Sequence, residues 1–278
     1  MAEAHVALAA EKLFSIGPFP VTNSVLTTWI VTIILIAFAF LATKNAALAP
    51  KGLQNIAEIA FEALEGLVSS IAGDKTKVFL PIIVAFFFFI LFGNYFGLLP
   101  GVGSIGFYEK SKLSAEVESK VSNGPNESKA ESPDERSTIN EIRTFVPYLR
   151  SMNSDLNTTM ALAIVSTVAT HFLAIRYLGL FGYIGKFISL NPIFLFVGLL
   201  ELVGEVTKIF SLSFRLFGNI FAGEVLLTTA ITKVFAVLAP VPFYFLEILV
   251  GFVQALIFSM LTLVFMVILT QKSEHGAH

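Results

Sequence analysis

Cysteine is absent from this chain, and charged residues make up only 14% of its 278 positions. The lack of cysteine excludes disulfide bridges, thiolate metal sites and cysteine nucleophiles. The net charge of -2 gives no sign of a nucleic-acid-binding protein. Apolar residues are abundant instead, at 55% of the chain with a mean hydropathy of +0.80. A soluble core does not absorb that much apolar surface, so we predict an integral membrane protein surrounded by the lipid bilayer.

Uninterrupted apolar runs predict where helices cross the bilayer. A helix needs about 20 apolar residues to span a hydrocarbon layer of about 30 Å. Runs of this length predict membrane helices at residues 24–43, 78–99 and 156–175. From Asn191 to about Leu269 the chain is apolar almost throughout, and Pro240 and Pro242 are expected to end one long helix and start another.

The first of these two long pieces, Pro192 to Ala239, is longer than one crossing of the bilayer requires. As a helix it extends about 70 Å, more than twice the bilayer thickness. Either a break near Gly218 gives two crossings, or one helix lies steeply tilted. We favour the tilted helix, because its ionisable residues are costly against lipid and less costly against a partner protein. The predicted fold is thus an all-α membrane protein with about five transmembrane helices, the last two long and steeply tilted.

Two further segments are not predicted to span the membrane. Residues 51–72 carry apolar side chains at helical spacing with three glutamates on another side, which predicts an amphipathic helix. This helix either lies at the membrane surface or packs against the other helices. Residues 104–150 become abruptly polar, which predicts a solvated, flexible loop within a single membrane domain of residues 1–278.

Basic residues in the short connections predict the orientation in the membrane. They cluster between the first two spans, after the third span and at the end of the chain: Lys44, Lys51, Lys75, Lys77, Arg176, Lys186 and Lys272. Connections rich in Lys and Arg face the cytoplasm. We therefore expect the N-terminus and the 104–150 loop outside and the C-terminus in the cytoplasm, which five crossings satisfy.

Ionisable residues interrupt the last two apolar helices, and six of them are Glu201, Glu205, Lys208, Arg215, Glu224 and Glu247. Each costs about 2.5–3.5 kcal/mol to insert, so each is a candidate functional residue. On a helical wheel Ser211 and Asn219 lie about 40° to either side of Arg215, whereas Glu224 points about 180° away. Arg215 has no acid within one turn on its own face, which predicts a partner elsewhere in the chain or on another subunit.

The residue types indicate proton chemistry. Arginine keeps its charge at every accessible pH, so it can hold an acid ionised without donating its own proton. A buried glutamate can bind and release a proton near neutral pH. Glu224, Glu247, Asn219 and Gln254 therefore form a candidate relay leading toward Arg215. The alternative is that these polar groups only join helices by hydrogen bonds.

One motif resembles a known family. The run Ser211-Leu-Ser-Phe-Arg215-Leu-Phe-Gly-Asn219-Ile-Phe-Ala-Gly-Glu224 resembles the signature of subunit a of F-type rotary ATP synthases of the bacterial type. Supporting matches are Asn94-Tyr-Phe-Gly-Leu-Leu-Pro100, Asp155-Leu-Asn157-Thr-Thr and Gln254-Ala-Leu-Ile-Phe. The resemblance covers nearly the whole chain.

The resemblance implies a proton-translocating stator in the cell membrane that is not an enzyme by itself and needs no cofactor or metal. Its partners are the ring of c subunits, the peripheral-stalk subunit b and the rest of the ATP synthase. Arg215 takes the position of the essential arginine between two offset half-channels that reach the ring carboxylates. The residues of the implied proton path are Glu224, Glu247, Asn219 and Gln254 on the external side, Glu201 and Ser211 on the cytoplasmic side, and Asp155.

Other interpretations remain open from the residues alone. A self-contained secondary transporter would use the same buried charges, but it would place an acid opposite Arg215 within itself. An intramembrane enzyme is disfavoured because no nucleophile and base pair stands out. His171 either joins the external channel or makes a plain hydrogen bond. Gly93 and Gly97 form a GxxxG pattern that predicts a helix-packing face.

Overall fold

A computed structural model of the chain describes residues 10–44, 51–110, 143–187, 192–233 and 240–271. The helices and strands are β1 (Lys12–Ile16), β2 (Phe19–Thr22), α1 (Asn23–Thr43), α2 (Leu53–Ala72), α3 (Thr76–Gly97), β3 (Gly106–Lys110), β4 (Arg143–Pro147), α4 (Leu156–Phe187), α5 (Pro192–Lys233) and α6 (Pro240–Thr270). The protein is an all-α membrane protein, as predicted, with two small hairpins added.

Four helical stretches of the described residues are long and apolar enough to cross a membrane. They are Asn23–Thr43, Leu53–Gly97, Leu156–Phe187 and Val241–Thr270. These stretches match the three predicted spans and the last long helix, except that the second span ends at Gly97 rather than at residue 99. Helix α6 begins at Pro240 as expected. The fifth helix of the predicted set is α5, which carries most of the ionisable residues.

The long helix α5 runs through Gly218 without interruption over 42 residues. At 1.5 Å per residue it is about 63 Å long, and it is one continuous helix with no break near Gly218. In contrast, α4 changes direction at Gly179, whose φ of 73° and ψ of 163° are not helical. Glycine adopts this positive φ without the steric cost that a side chain would add.

Helix α2 forms where the amphipathic pattern predicted it. Leu64 and Val68 on one face are buried, at 3% and 0% exposure. They belong to two apolar clusters that join α2 to α3, α4, α5 and α6. Leu53 and Ile56 remain exposed. One face of α2 therefore packs against the other helices, which supports the packing alternative for that face.

The two antiparallel hairpins were not predicted. Strand β1 pairs with β2 just before α1, and β3 pairs with β4 within the segment predicted to be a loop. Aromatic side chains hold the second hairpin, because Phe107 contacts Tyr148 and Tyr108 contacts Phe145. The ends of the 104–150 segment are thus strands. Its centre at 111–142, like the basic residue Lys272, lies outside the described residues.

Both glycines of the GxxxG pattern on α3 lie against a 3-10 turn and not against another helix. A Cβ atom on Gly93 would lie 2.5 Å from Met152 Cε, and one on Gly97 would lie 2.6 Å from Ser151 Cβ. The two glycines are closely packed, but their partner is the short segment before α4 and not the helix that the pattern predicted.

Candidate functional site

Arg215 lies in the middle of α5 on an exposed face. Its Nη2 atom is 3.5 Å from Ser211 Oγ, one turn earlier. Asn219, one turn later, is also exposed, and the neighbouring Phe214 is 52% exposed. Among the described residues no carboxylate lies within ion-pair distance of this guanidinium group. The fixed charge therefore lies on an exposed face, and the described part of the chain supplies no acid to pair with it.

An amide pair joins α5 to α6 beside Arg215. Asn219 Nδ2 donates to Gln254 Oε1 at 2.8 Å. The Gln254 side chain is only 2% exposed, and its Nε2 atom has no hydrogen-bond partner within the part of the chain that the structure describes. A buried amide group with a donor left over can bind a water molecule or a polar group that arrives at the site.

Glu247 of α6 is a carboxyl group in an apolar helix and is only 5% exposed. Among the residues that the structure describes, no basic side chain lies within ion-pair distance of it. Its carboxyl group lies against Gly223 of α5 so closely that a Cβ atom at Gly223 would overlap all three of its terminal atoms. The missing side chain of Gly223 therefore makes the space that holds the Glu247 carboxyl group between the two helices.

Glu224 points away from Arg215, as the helical wheel predicted, and it contacts a residue that sequence reasoning missed. Arg150 Nε donates to Glu224 Oε1 and Oε2 at 3.1 and 3.3 Å. The Arg150 side chain is 4% exposed and that of Glu224 is 29% exposed. The only signal in the sequence was a single basic residue just before the third apolar span.

Asp155 is 3% exposed and lies at the start of α4. It accepts a hydrogen bond from Ser24 Oγ at 2.9 Å and another from the backbone N of Asn157 at 3.3 Å. This predicted path residue therefore caps α4 and joins it to α1, because a side-chain acceptor satisfies free N–H groups of a first helical turn.

The three sequence motifs that support the family resemblance lie close together in the structure. Asn153 Nδ2 donates to Asn94 Oδ1 at 2.7 Å, and Asn94 Nδ2 donates to the carbonyl of Gly251 at 2.9 Å. These bonds join α3, the turn before α4, and α6 one turn before Gln254. The motifs around Asn94, Asp155 and Gln254 are thus adjacent in space.

A second polar cluster lies toward the other end of α5. Lys208 Nζ donates to Glu205 Oε1 at 2.6 Å, and His171 Nε2 is 3.8 Å from Glu205 Oε2. His171 Nδ1 is 3.0 Å from the Tyr183 hydroxyl group. His171 lies with Glu205 and not with Glu224, so the structure does not bring it to the group expected to form the external channel.

Glu201 belongs to the same end of α5. Its carboxylate is 3.6 Å from Lys186 Nζ, and that lysine also donates to the carbonyl of Ile268 at 3.1 Å. Along α5 Arg215 is about 15 Å from Glu205 and about 14 Å from Glu224. An exposed arginine thus lies between two separate polar clusters, an arrangement that can keep two proton paths apart.

Comparison with known proteins gives consistent similarities. The sequence model of the family described as ATP synthase A chain matches residues 25–267. ATP synthase subunit a of Moorella thermoacetica is 31% identical over 254 residues, which cover 91% of this chain and 93% of the relative. ATP synthase subunit a of Syntrophobacter fumaroxidans is 30% identical over 265 residues, covering 94% and 89%.

Proposed function

Because this chain belongs to the ATP synthase A chain family, we propose that it is the proton-conducting stator of the membrane sector of an F-type ATP synthase. The chain is a multi-pass membrane protein and a component of the synthase rather than a catalyst by itself. In this role it provides two offset half-channels to the carboxylates of a c-ring, and Arg215 couples proton flow to rotation of the ring.

The exposed position of Arg215 carries the proposal. A guanidinium group embedded in an apolar helix is costly unless it meets an opposite charge. No described residue of this chain supplies that charge, so a carboxylate on a partner does. A self-contained transporter would place the acid opposite Arg215 within itself, which the described residues do not do.

The two polar clusters are the proposed half-channels. The external half-channel includes Glu224, Glu247, Asn219 and Gln254, with Asp155 fixing the turn beside them. The cytoplasmic half-channel includes Glu201 and Ser211. We place His171 with this second group, because it contacts Glu205. Arg215 between the clusters blocks a direct leak, because its proton does not dissociate at accessible pH.

The orientation and partners follow from the same role. The chain lies in the bacterial cell membrane with the N-terminus and the 104–150 loop outside and the C-terminus in the cytoplasm. The c-ring covers the exposed face of α5 around Arg215, and subunit b of the peripheral stalk contacts the chain elsewhere.

Disulfide cross-linking tests the ring-facing surface directly, because the native chain has no cysteine. Phe214→Cys places a thiol on the exposed face, and Ser213→Cys places one at a 0% exposed position beside Thr159. With a second cysteine beside the ring carboxylate, we expect a cross-link at position 214 and none at 213. The reverse pattern, or no cross-link at 214 in an assembled complex, contradicts the proposal.

A further inference from the structure

The buried arginine of the external cluster has no assigned role. Arg150 is 4% exposed and carries a full charge, and the relay described above does not use it. Its guanidinium carbon also lies 6.0 Å from the centre of the Phe221 ring, one turn before Glu224 on α5. The arginine side chain therefore lies over the single face of α5 that carries Phe221 and Glu224.

The backbone of Arg150 is joined to α1. Its backbone N donates to Thr27 Oγ1 on α1 at 3.3 Å, and Thr27 is fully buried. The same turn is joined to α1 a second time, because Ser24 Oγ donates to Asp155. The guanidinium group thus extends to α5 from a segment that two hydrogen bonds join to α1.

The pair restricts where the Glu224 carboxylate can point. Both of its oxygens lie within hydrogen-bond distance of the Arg150 Nε atom, and charge-assisted bonds of this kind fix geometry as well as adding energy. Stability alone explains the pair poorly, since the desolvation of two charges can exceed their attraction. The result is a carboxylate directed toward the turn before α4 and away from the exposed face of Arg215.

We propose that Arg150 is a positioning residue of the external half-channel, which holds the Glu224 carboxylate inside the polar cluster where protons reach it. The inference rests on the proposed function, because it requires Glu224 to lie on the proton path. Arg150 keeps its own proton throughout and acts only through Glu224.

A double-mutant cycle in the complete synthase tests this role. The variants are R150Q, E224Q and R150Q/E224Q, reconstituted in liposomes, with passive proton flux through the membrane sector measured as a function of pH. A positioned proton-transfer group contributes about a hundredfold or more. Because R150Q displaces such a group without removing it, we expect on the order of a tenfold loss of flux and a shifted pH profile. R150K should restore part of the flux.

The decisive result is that the effects of R150Q and E224Q on proton flux do not add. In the E224Q background the further change to R150Q should alter neither the flux nor its pH profile, because the residue that Arg150 positions is already gone. Equal losses from R150Q in both backgrounds would show that Arg150 acts through folding alone and would overturn the inference. If R150Q prevents assembly, the R150K variant is measured instead. Reduced flux with a wild-type pH profile in R150K would also overturn the inference.

Two controls separate this inference from the proposed function. Arg176→Gln removes an exposed arginine of α4 and should leave flux unchanged. E224Q alone should lower flux, and unchanged flux would overturn the role of Arg150 and remove Glu224 from the path. Neither outcome affects the coupling role of Arg215, which has its own test.

Discussion

The Glu247 carboxyl group occupies the space that a Cβ atom on Gly223 would fill. Gly223→Ala therefore forces this buried carboxyl group out of its place between α5 and α6. We expect proton flux through the reconstituted membrane sector to fall on the order of tenfold, because proton transfer depends on positions accurate to a fraction of an ångström.

Gly204→Ala on the same helix is the matched control, because a Cβ atom there meets nothing within 4 Å. Alanine in a helix interior is about 1 kcal/mol more favourable than glycine, so this variant should assemble fully and conduct normally. Full flux in an assembled Gly223→Ala complex would contradict the role given to the Gly223 and Glu247 contact.

The two glycines of α3 should differ in their tolerance of alanine. At Gly93 the nearest atoms belong to the end of the flexible Met152 side chain, whereas at Gly97 the added Cβ meets Ser151 Cβ and comes within 3.3 Å of its Cα. A flexible side chain can move to another position, but a backbone atom moves only if the surrounding segment shifts with it. We expect Gly97→Ala to cost about 1–3 kcal/mol and Gly93→Ala less. Thermal unfolding of the purified membrane sector measures both, and equal midpoints would refute the distinction.

Asn94 should be a stability residue as well as part of a motif. It accepts from Asn153 and donates to Gly251, both within the buried region where three segments meet. Asn94→Leu removes both bonds, each worth about 0.6–1.7 kcal/mol between membrane helices. The thermal midpoint should fall, whereas Thr43→Val should change it little, because the Thr43 hydroxyl group is exposed and bonds only within α1. An unchanged midpoint for Asn94→Leu would rule out this bridging role.

Much of the fold was predictable because lipid imposes simple rules. The lengths of the apolar runs predicted the membrane spans. Pro240 and Pro242 predicted where α6 begins, which is at Pro240. The cost of a charge against lipid indicated a single inclined α5 rather than two crossings. The hairpins were missed because they lie outside the apolar spans, in short strands where periodicity gives little signal.

The site was predictable only where it lay on one helix. Helical geometry correctly predicted that Glu224 points away from Arg215 and that Ser211 and Asn219 lie beside Arg215. It could not reveal Arg150 or the contact of His171 with Glu205, because these depend on how α4 and the turn before it pack against α5. Contacts between segments distant in sequence have no periodic signature.

Arg215 is the residue proposed to couple proton flow to rotation. Arg215→Ala leaves all buried contacts of the described bundle intact, because the only hydrogen bond it removes is the exposed one to Ser211. The complex should therefore assemble normally. Arg176→Ala, which removes another exposed arginine, serves as the control and should retain wild-type synthesis.

The measurement is ATP synthesis driven by an imposed proton gradient in liposomes that contain the assembled Arg215→Ala complex. We expect synthesis to be abolished while the amount of assembled complex stays at the wild-type level. Sustained gradient-driven synthesis by that complex would contradict coupling by Arg215.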